Sequence, residues 1–139
     1  MNKKLFYLLS LTWGLPLTLC GAVVALFLRV TGHRPRRWGG CWYFNVGRKN
    51  WGGLNLGLVF LTDHRDSTYT KNHEFGHAVQ NCYLGPIMLF LWLCSTIRYH
   101  YRNYIERKGN TLPPYDSWWF EGQATEYGYE YIKLWEVES

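Results

Sequence analysis

The sequence predicts an α+β fold with an N-terminal membrane helix, a short β-hairpin and a helical C-terminal half. Three observations lead to this fold class. Residues 5–30 are almost entirely apolar, two short aromatic and aliphatic runs lie within residues 41–61, and helical patterns cover residues 70–84 and 118–135. At 139 residues the chain has the length of one ordinary domain.

The apolar segment Leu5–Val30 carries no charge before Arg29 and is long enough to cross a bilayer. Inside it, Gly14-Leu15-Pro16 predicts a kink. A cleaved signal peptide is the alternative, since lysines precede the apolar run. The run is too long for that class and no small-x-small cleavage site ends it. We therefore expect an uncleaved anchor at residues 1–30, followed by one compact domain at residues 31–139.

Basic residues dominate the charge balance, with a net charge of +5. Most follow the apolar segment: Arg29, Arg34, Arg36, Arg37, Arg48 and Lys49. Such a cluster is also typical of nucleic-acid binding, but beside an apolar span it favours a cytoplasmic juxtamembrane flank. Lys3 and Lys4 favour the opposite orientation. Aromatic residues make up 19% of the chain, which fits rings at a membrane interface or, alternatively, an aromatic-rich soluble core. We expect a lipid bilayer as partner and no nucleic acid.

Two strand-like segments follow a basic linker at residues 31–40. Cys41–Val46 is aromatic and Leu54–Leu61 is aliphatic, with a turn-like stretch at residues 47–53 between them. This pattern predicts a β-hairpin.

The four cysteines contain no C-x-x-C pair, and two of them lie in apolar runs; they are Cys20, Cys41, Cys82 and Cys94. We expect small buried side chains, with neither a disulfide framework nor a zinc knuckle.

The functional prediction depends on His73-Glu74-Phe75-Gly76-His77. Residues four apart lie on one face of a helix, so His73 and His77 can offer their imidazoles to one metal ion. Two neutral imidazoles suit zinc, and Glu74 can lean over the open position of the metal. A motif this short also arises by chance, so the prediction needs a third ligand.

The third ligand comes from the segment WWFEGQAT at residues 118–125. A catalytic zinc ion takes three protein ligands and one water. The two motifs together resemble those of the gluzincin metallopeptidases, which combine H-E-x-x-H on one helix with W-x-x-E-G-x-A on a later helix. The match falls on Trp118, Glu121, Gly122 and Ala124. The run NHEFGHAVQNCYLGP is also similar to one in small bacterial membrane-associated proteins.

This resemblance implies a Zn2+ site made by His73, His77 and Glu121, and hydrolysis of a peptide or protein substrate. It gives Glu74 the role of general base, which accepts a proton from the attacking water. Thr125 stands where some gluzincins have an acidic residue that orients a ligand, and Glu126 is a candidate substitute.

The resemblance also implies a substrate-binding strand before the motif helix. In gluzincins this strand pairs with an extended peptide, which makes Asn55–Val59 the candidate edge; an ordinary packed hairpin is the alternative. The donor for an oxyanion stays open among Tyr127, Tyr129 and His100, each of which is also explained by packing.

The motif helix should run from about Thr70 to Leu84 and end at Gly85-Pro86. The apolar segment 86–97 that follows is short for a perpendicular span. If it crossed alone, His77 and Glu121 would lie on opposite sides of the membrane. It therefore dips into the bilayer, lies on its surface, or pairs with the first helix and returns. Residues 98–109 should form an interfacial helix.

The last helix should carry Glu121, then Ala124 or Thr125, and then Gly128 on one narrow face. Small residues there would let it approach the helix that contains Gly76. Glu126 turns away from Glu121 by about 140° around the helix axis, so Glu121 is the better ligand.

The sequence thus predicts zinc-dependent peptide-bond hydrolysis at or in the plasma membrane of a bacterium, with the catalytic part on the cytoplasmic side. Two alternatives remain. One is a catalytically silent membrane protein stabilised by zinc, and the other is a basic membrane adaptor without metal.

Overall fold

The computed structural model describes residues 1–138, which form an α+β fold and confirm that fold class. Five α-helices surround a small four-stranded mixed sheet. The helices are α1 (Lys3–Ser10), α2 (Leu15–Val30), α3 (Thr68–Leu84), α4 (Ile87–Arg107) and α5 (Trp119–Val137). The strands are β1 (Arg36–Trp38), β2 (Cys41–Asn45), β3 (Gly53–Leu56) and β4 (Val59–Thr62). A short 3-10 turn, Tyr115–Ser117, precedes α5.

The N-terminal apolar segment forms two helices rather than one. α1 and α2 are bent by 86° at the break between them, beside the predicted kink. Pro16 lies in the first turn of α2, where its missing N–H costs no hydrogen bond. Within residues 1–138, no single helix is long and apolar enough to cross a bilayer, whereas α1 and α2 taken together meet that requirement.

α1 packs into the main core of the protein. Phe6 is fully buried, and its ring centroid lies 5.8 Å from that of Phe75 and 5.2 Å from that of Trp135. After α1, the Gly14 carbonyl accepts a 2.9 Å hydrogen bond from Asn81 Nδ2 on α3. The N-terminal segment therefore shares a core with the rest of the chain.

The sheet has the strand order β1-β2-β4-β3, so the predicted two-stranded hairpin is wrong. β2 pairs with β4 in parallel, and residues 54–61 divide into two strands, β3 and β4, around Gly57. Gly57 adopts a φ of +72°, and its N–H donates to Asn55 Oδ1, which stabilises the turn. Part of the expected linker, Arg36–Trp38, forms the outer strand β1. The other edge of the sheet is β3.

α3 is the central helix and is buried from Lys71 to Cys82. α5 lies against it in direct backbone contact, because a Cβ atom on Gly76 would overlap the Ala124 carbonyl oxygen. Gly128 makes the same kind of contact with the Asn72 carbonyl oxygen. The small-residue face predicted for α5 is the face that makes this contact.

α4 joins the two segments that the sequence analysis treated separately, 86–97 and 98–109, into one helix. The cysteine prediction is only partly right. Cys41 and Cys82 are buried, but Cys20 is exposed and Cys94 is partly exposed, because their apolar runs lie on the outside of α2 and α4.

Candidate metal centre

Three side chains converge between α3 and α5. His73 and His77 lie one turn apart on α3, and Glu121 lies in the first turn of α5. The Nε2 atoms of both histidines are 3.1 Å from Oε2 of Glu121. All three residues are buried, and their ligand atoms lie within 4.8 Å of one another. The backbone contact at Gly76, which immediately precedes His77, lets α5 bring Glu121 this close.

This donor set fits a metal ion. Two imidazole nitrogens and one carboxylate oxygen are the ligands that catalytic zinc takes from proteins. The group is also suited to a cation electrostatically. Burial acts to raise the pKa of Glu121, but the hydrogen bonds from His73 and His77 outweigh it and hold that pKa well below its usual range. Burial acts to lower the pKa of His77, yet the Glu121 carboxylate raises it overall.

A chain of hydrogen bonds orients His73. Thr125 Oγ1 lies 2.9 Å from His73 Nδ1 and donates to Asp116 Oδ2 at 2.8 Å. Because the Thr125 hydroxyl donates its proton to Asp116, it accepts a hydrogen bond from the Nδ1–H group of His73, and the Nε2 atom of His73 faces Glu121. Tyr69 donates a second hydrogen bond to Asp116 Oδ2, at 2.6 Å.

A separate contact orients His77. Its Nδ1 atom lies 2.8 Å from Oε1 of Gln80, which can only accept a hydrogen bond. The amide orientation of Gln80 is settled by its own donation to the Phe120 carbonyl at 2.8 Å and to Gln123 Oε1 at 3.0 Å. Nδ1 of His77 therefore carries the proton, and Nε2 faces Glu121.

The second oxygen of Glu121 is occupied by groups outside the two ligand helices. Oε1 accepts hydrogen bonds from Ser95 on α4 and, at 3.2 Å, from the Tyr115 hydroxyl in the 3-10 turn. Burial raises the pKa of Tyr115, so its hydroxyl stays protonated and able to donate. Only Oε2 is left to bind a metal.

Glu74 lies beside the ligand cluster and does not join it. Among residues 1–138, its carboxylate makes no hydrogen bond and no ion pair. The side chain passes close to Gly53 on β3, where an added Cβ atom would lie 2.6 Å from Glu74 Oε1. Its backbone carbonyl accepts a 2.9 Å hydrogen bond from Asn55 Nδ2, which ties α3 to the edge strand. Burial raises the pKa of Glu74.

The cluster and Glu74 line a cavity of about 620 Å³. Its lining includes the edge strand β3 and the inner face of α4, with Trp92, Ser95, Thr96 and Tyr99, and Trp92 Nε1 donates a 3.0 Å hydrogen bond to the Asn55 carbonyl on β3. Of the predicted strand Asn55–Val59, only the first two residues belong to β3, and Val59 lies inside the sheet on β4.

The remaining site predictions fall in different places. His100 lines the cavity, but Tyr127 and Tyr129 do not. Tyr127 packs against Tyr83, with ring centroids 5.7 Å apart, and Tyr129 is exposed on α5. Glu126 is exposed as well, and its place beside the histidine is taken by the Thr125–Asp116 chain.

Four contacts of the site were missed from the sequence: Gln80, Ser95, Tyr115 and Asp116. Gln80 was the one with a local signal, because it lies three residues after His77 on the same helix. No family model, curated protein sequence or solved structure matches this chain.

Proposed function

We propose that the protein is a zinc-dependent peptidase of the gluzincin type that acts at a membrane. One observation carries the proposal: His73 Nε2, His77 Nε2 and Glu121 Oε2 converge in a cavity beside the carboxylate of Glu74, which makes no hydrogen bond and no ion pair within residues 1–138. The ligands bind the metal, and the free carboxylate supplies a base.

Zinc, when bound by these three residues, supplies a water of lowered pKa and polarises a peptide carbonyl. Glu74 then accepts the proton of the attacking water and returns it to the leaving amine. Burial raises the pKa of Glu74, which makes its carboxylate a stronger base than a solvent-exposed one. His100 lines the same cavity and is the donor that can stabilise the developing negative charge on the substrate carbonyl oxygen, because the hydroxyl proton of Tyr115 is donated to Glu121.

The shape of the cavity supports an extended peptide as substrate. The edge strand β3 lines the cavity, and because the Asn55 carbonyl already accepts a hydrogen bond from Trp92, the first half of the strand, Gly53 and Leu54, is the part that can pair with a peptide backbone next to the ligand cluster. The apolar rings of Trp51, Trp92 and Tyr99 offer contacts for its side chains.

The two alternatives explain less of the site. A zinc ion that only stabilises the fold needs neither an unpaired carboxylate nor a cavity of about 620 Å³. A basic membrane adaptor would leave three buried, oriented ligands without a use. For location we propose the plasma membrane of a bacterium, with α1 and α2 as the anchor. The basic residues after α2 favour a catalytic part on the cytoplasmic side.

Glu74→Gln is the test. The variant should bind one zinc per chain like the wild type but lose about 10²–10⁴-fold in the rate of peptide hydrolysis, because glutamine cannot accept the proton. Glu126→Gln, on the exposed face of α5, is the matched control and should keep both properties. Substrates are found by mass spectrometry on a pool of unstructured peptides, with and without a chelator.

Equal cleavage by the wild type and Glu74→Gln would refute the assigned chemistry. If neither cleaves any peptide while both bind zinc, the silent zinc protein is the better explanation. Zinc binding that survives both His77→Ala and Glu121→Ala would refute the ligand assignment itself.

A further inference from the structure

α4 has two faces of different character. The inner face lines the cavity with Trp92, Ser95 and Tyr99. The outer face is an apolar stripe, defined by Ile87, Phe90, Leu93, Ile97, Tyr101 and Tyr104, each more than half exposed. At about 100° per residue, most of this outer stripe lies on the side of the helix opposite the cavity. The wall of the candidate active site is therefore also an exposed apolar surface.

The outer stripe carries no charge, although α4 contains arginines. Arg98 and Arg102 turn away from it and donate to the carbonyls of Tyr115 and Pro113, at 2.8 and 2.6 Å. Beyond Tyr104 the helix ends in the exposed basic residues Arg107 and Lys108. An apolar stripe that passes into tyrosines and then basic residues is typical of a helix lying in a membrane interface.

α2 repeats this arrangement and packs beside α4. Its outer side chains are exposed over more than half of their surface: Leu19, Val23, Leu26, Phe27 and Val30. Val24 of α2 packs in the same cluster as Leu91 and Trp92 of α4. The two apolar surfaces therefore belong to neighbouring helices.

The distribution of charge indicates which partner covers these surfaces. No aspartate or glutamate occurs in residues 1–62 or 75–105, which include both helices up to Ile105 of α4. The exposed carboxylates lie instead at Glu106, beside the basic residues that end α4, and on and after α5, at Glu126, Glu130, Glu136 and Glu138. Over residues 15–30 and 87–105 the exposed surface has apolar side chains and no carboxylate, and with Arg29, Arg107 and Lys108 at the helix ends it complements an anionic lipid bilayer.

We propose that the outer faces of α2 and α4 together lie in an anionic lipid bilayer, so that α4 separates the lipid from the catalytic cavity. A second statement follows and rests on the proposed function. The cavity opens at the membrane, and the substrates are peptide segments of lipid-embedded or lipid-anchored proteins. The bilayer holds such segments beside the cavity at a high effective concentration.

The lipid contact can be measured without any enzyme activity. The full chain, with Cys20→Ala and Cys94→Ala, is reconstituted in nanodiscs of phosphatidylcholine and phosphatidylglycerol. Ile97→Cys on α4 and Leu134→Cys on α5 each carry an environment-sensitive fluorophore. The label at position 97 should emit at a shorter wavelength than the label at position 134 and should be quenched severalfold more by nitroxide lipids. Position 134 is the control because Leu134 is also an exposed apolar residue but lies on the acidic helix α5.

Equal, water-like emission from both labels would refute the proposal. A label at position 97 that is shielded from water but not quenched by lipid would also refute it and would identify the face as a contact between two copies of the chain. Added protein should bind more weakly to vesicles made only of phosphatidylcholine than to vesicles that also contain phosphatidylglycerol.

The substrate consequence has its own measurement. One cleavable peptide is offered either free or joined to a lipid chain in the vesicle, and the joined form should be cleaved about tenfold faster or more. Equal rates for the two forms would refute the membrane-delivered substrate. Absence of cleavage with both, while the label at position 97 is quenched, would refute the peptidase and leave the lipid contact intact.

Discussion

Replacing Gly76 by alanine is the sharpest test of how the metal centre is assembled. The added methyl group would overlap the Ala124 carbonyl oxygen on α5. To bring that contact out even to 3.0 Å, the shortest that real Cβ atoms show, α3 and α5 must separate by more than about 1 Å. Metal–ligand distances tolerate only about 0.2 Å, so Glu121 would be pulled out of reach of a metal held by the two histidines.

Two effects of Gly76→Ala follow. Zinc affinity should fall about 100-fold or more, because loss of a direct ligand exceeds the 10–100-fold typical of losing an orienting contact. Overpacking should lower the free energy of unfolding of the metal-free protein by about 1–3 kcal/mol. The higher helix propensity of alanine offsets ~1 kcal/mol of this loss. Zinc affinity is measured by competition with a chelator, and unfolding by circular dichroism with and without zinc.

Gly122→Ala is the matched control. It also places a methyl group next to a backbone oxygen, but on α5 instead of α3. There the Cβ atom would lie 2.7 Å from the Asp116 carbonyl oxygen, which belongs to a turn and can move by a few tenths of an ångström. A smaller loss of both zinc affinity and stability is therefore expected. Wild-type zinc affinity and melting temperature in Gly76→Ala would show that the helices are not in backbone contact.

Three further predictions concern the surroundings of the site. Thr125→Val should lower zinc affinity about 10–100-fold, since His73 loses the group that orients it, whereas Glu126→Ala should leave the affinity unchanged. Phe6→Ala should lower the free energy of unfolding by about 3–5 kcal/mol, while Leu8→Ala, whose side chain is exposed, should change it by less than ~0.5 kcal/mol; equal effects would contradict the packing of α1. Hydrogen bonds from Arg65 hold the pKa of Asp63 well below its ordinary value of 3.8. The ionised carboxylate therefore stabilises the fold at pH values above 3.8, and this stabilisation is lost as the pH falls below that value. In Asp63→Asn, the free energy of unfolding should therefore fall less steeply at acidic pH than in the wild type. An unchanged slope would contradict a stabilising role of the Asp63 carboxylate.

The three candidate metal ligands could be predicted because their geometry is local. The four-residue spacing of His73 and His77 puts both on one face of a helix, whatever surrounds it. Glu121 could be chosen over Glu126 by the same reasoning, since small residues marked the face of α5 that would approach α3. These inferences need only helix geometry.

The groups that complete the site could not be predicted, because they reach it through tertiary packing. Ser95 and Tyr115 meet Glu121 only because α4 and the 3-10 turn fold over the end of α5, and no spacing in the chain encodes that contact. The acidic group beside His73 was sought among near neighbours on α5, yet Asp116 reaches it from nine residues before Thr125.

The sheet was mispredicted for a related reason. Leu56-Gly57-Leu58 lies inside an aliphatic run, so the turn at Gly57 was hidden by its neighbours. The parallel pairing of β2 with β4 joins residues about 17 positions apart, such as Trp42 and Val59, and depends on packing that periodicity does not report.

The packing of α1 makes the N-terminal segment indispensable to the rest of the molecule. If a protease cut the chain after α2 and removed residues 1–30, Phe75 and Trp135 would lose the buried ring of Phe6, and Asn81 would lose the Gly14 carbonyl on the helix that carries both histidines. The remaining fragment would have a damaged core directly behind the metal ligands. Under the proposed function, a cut after α2 would therefore abolish the activity rather than release an active fragment.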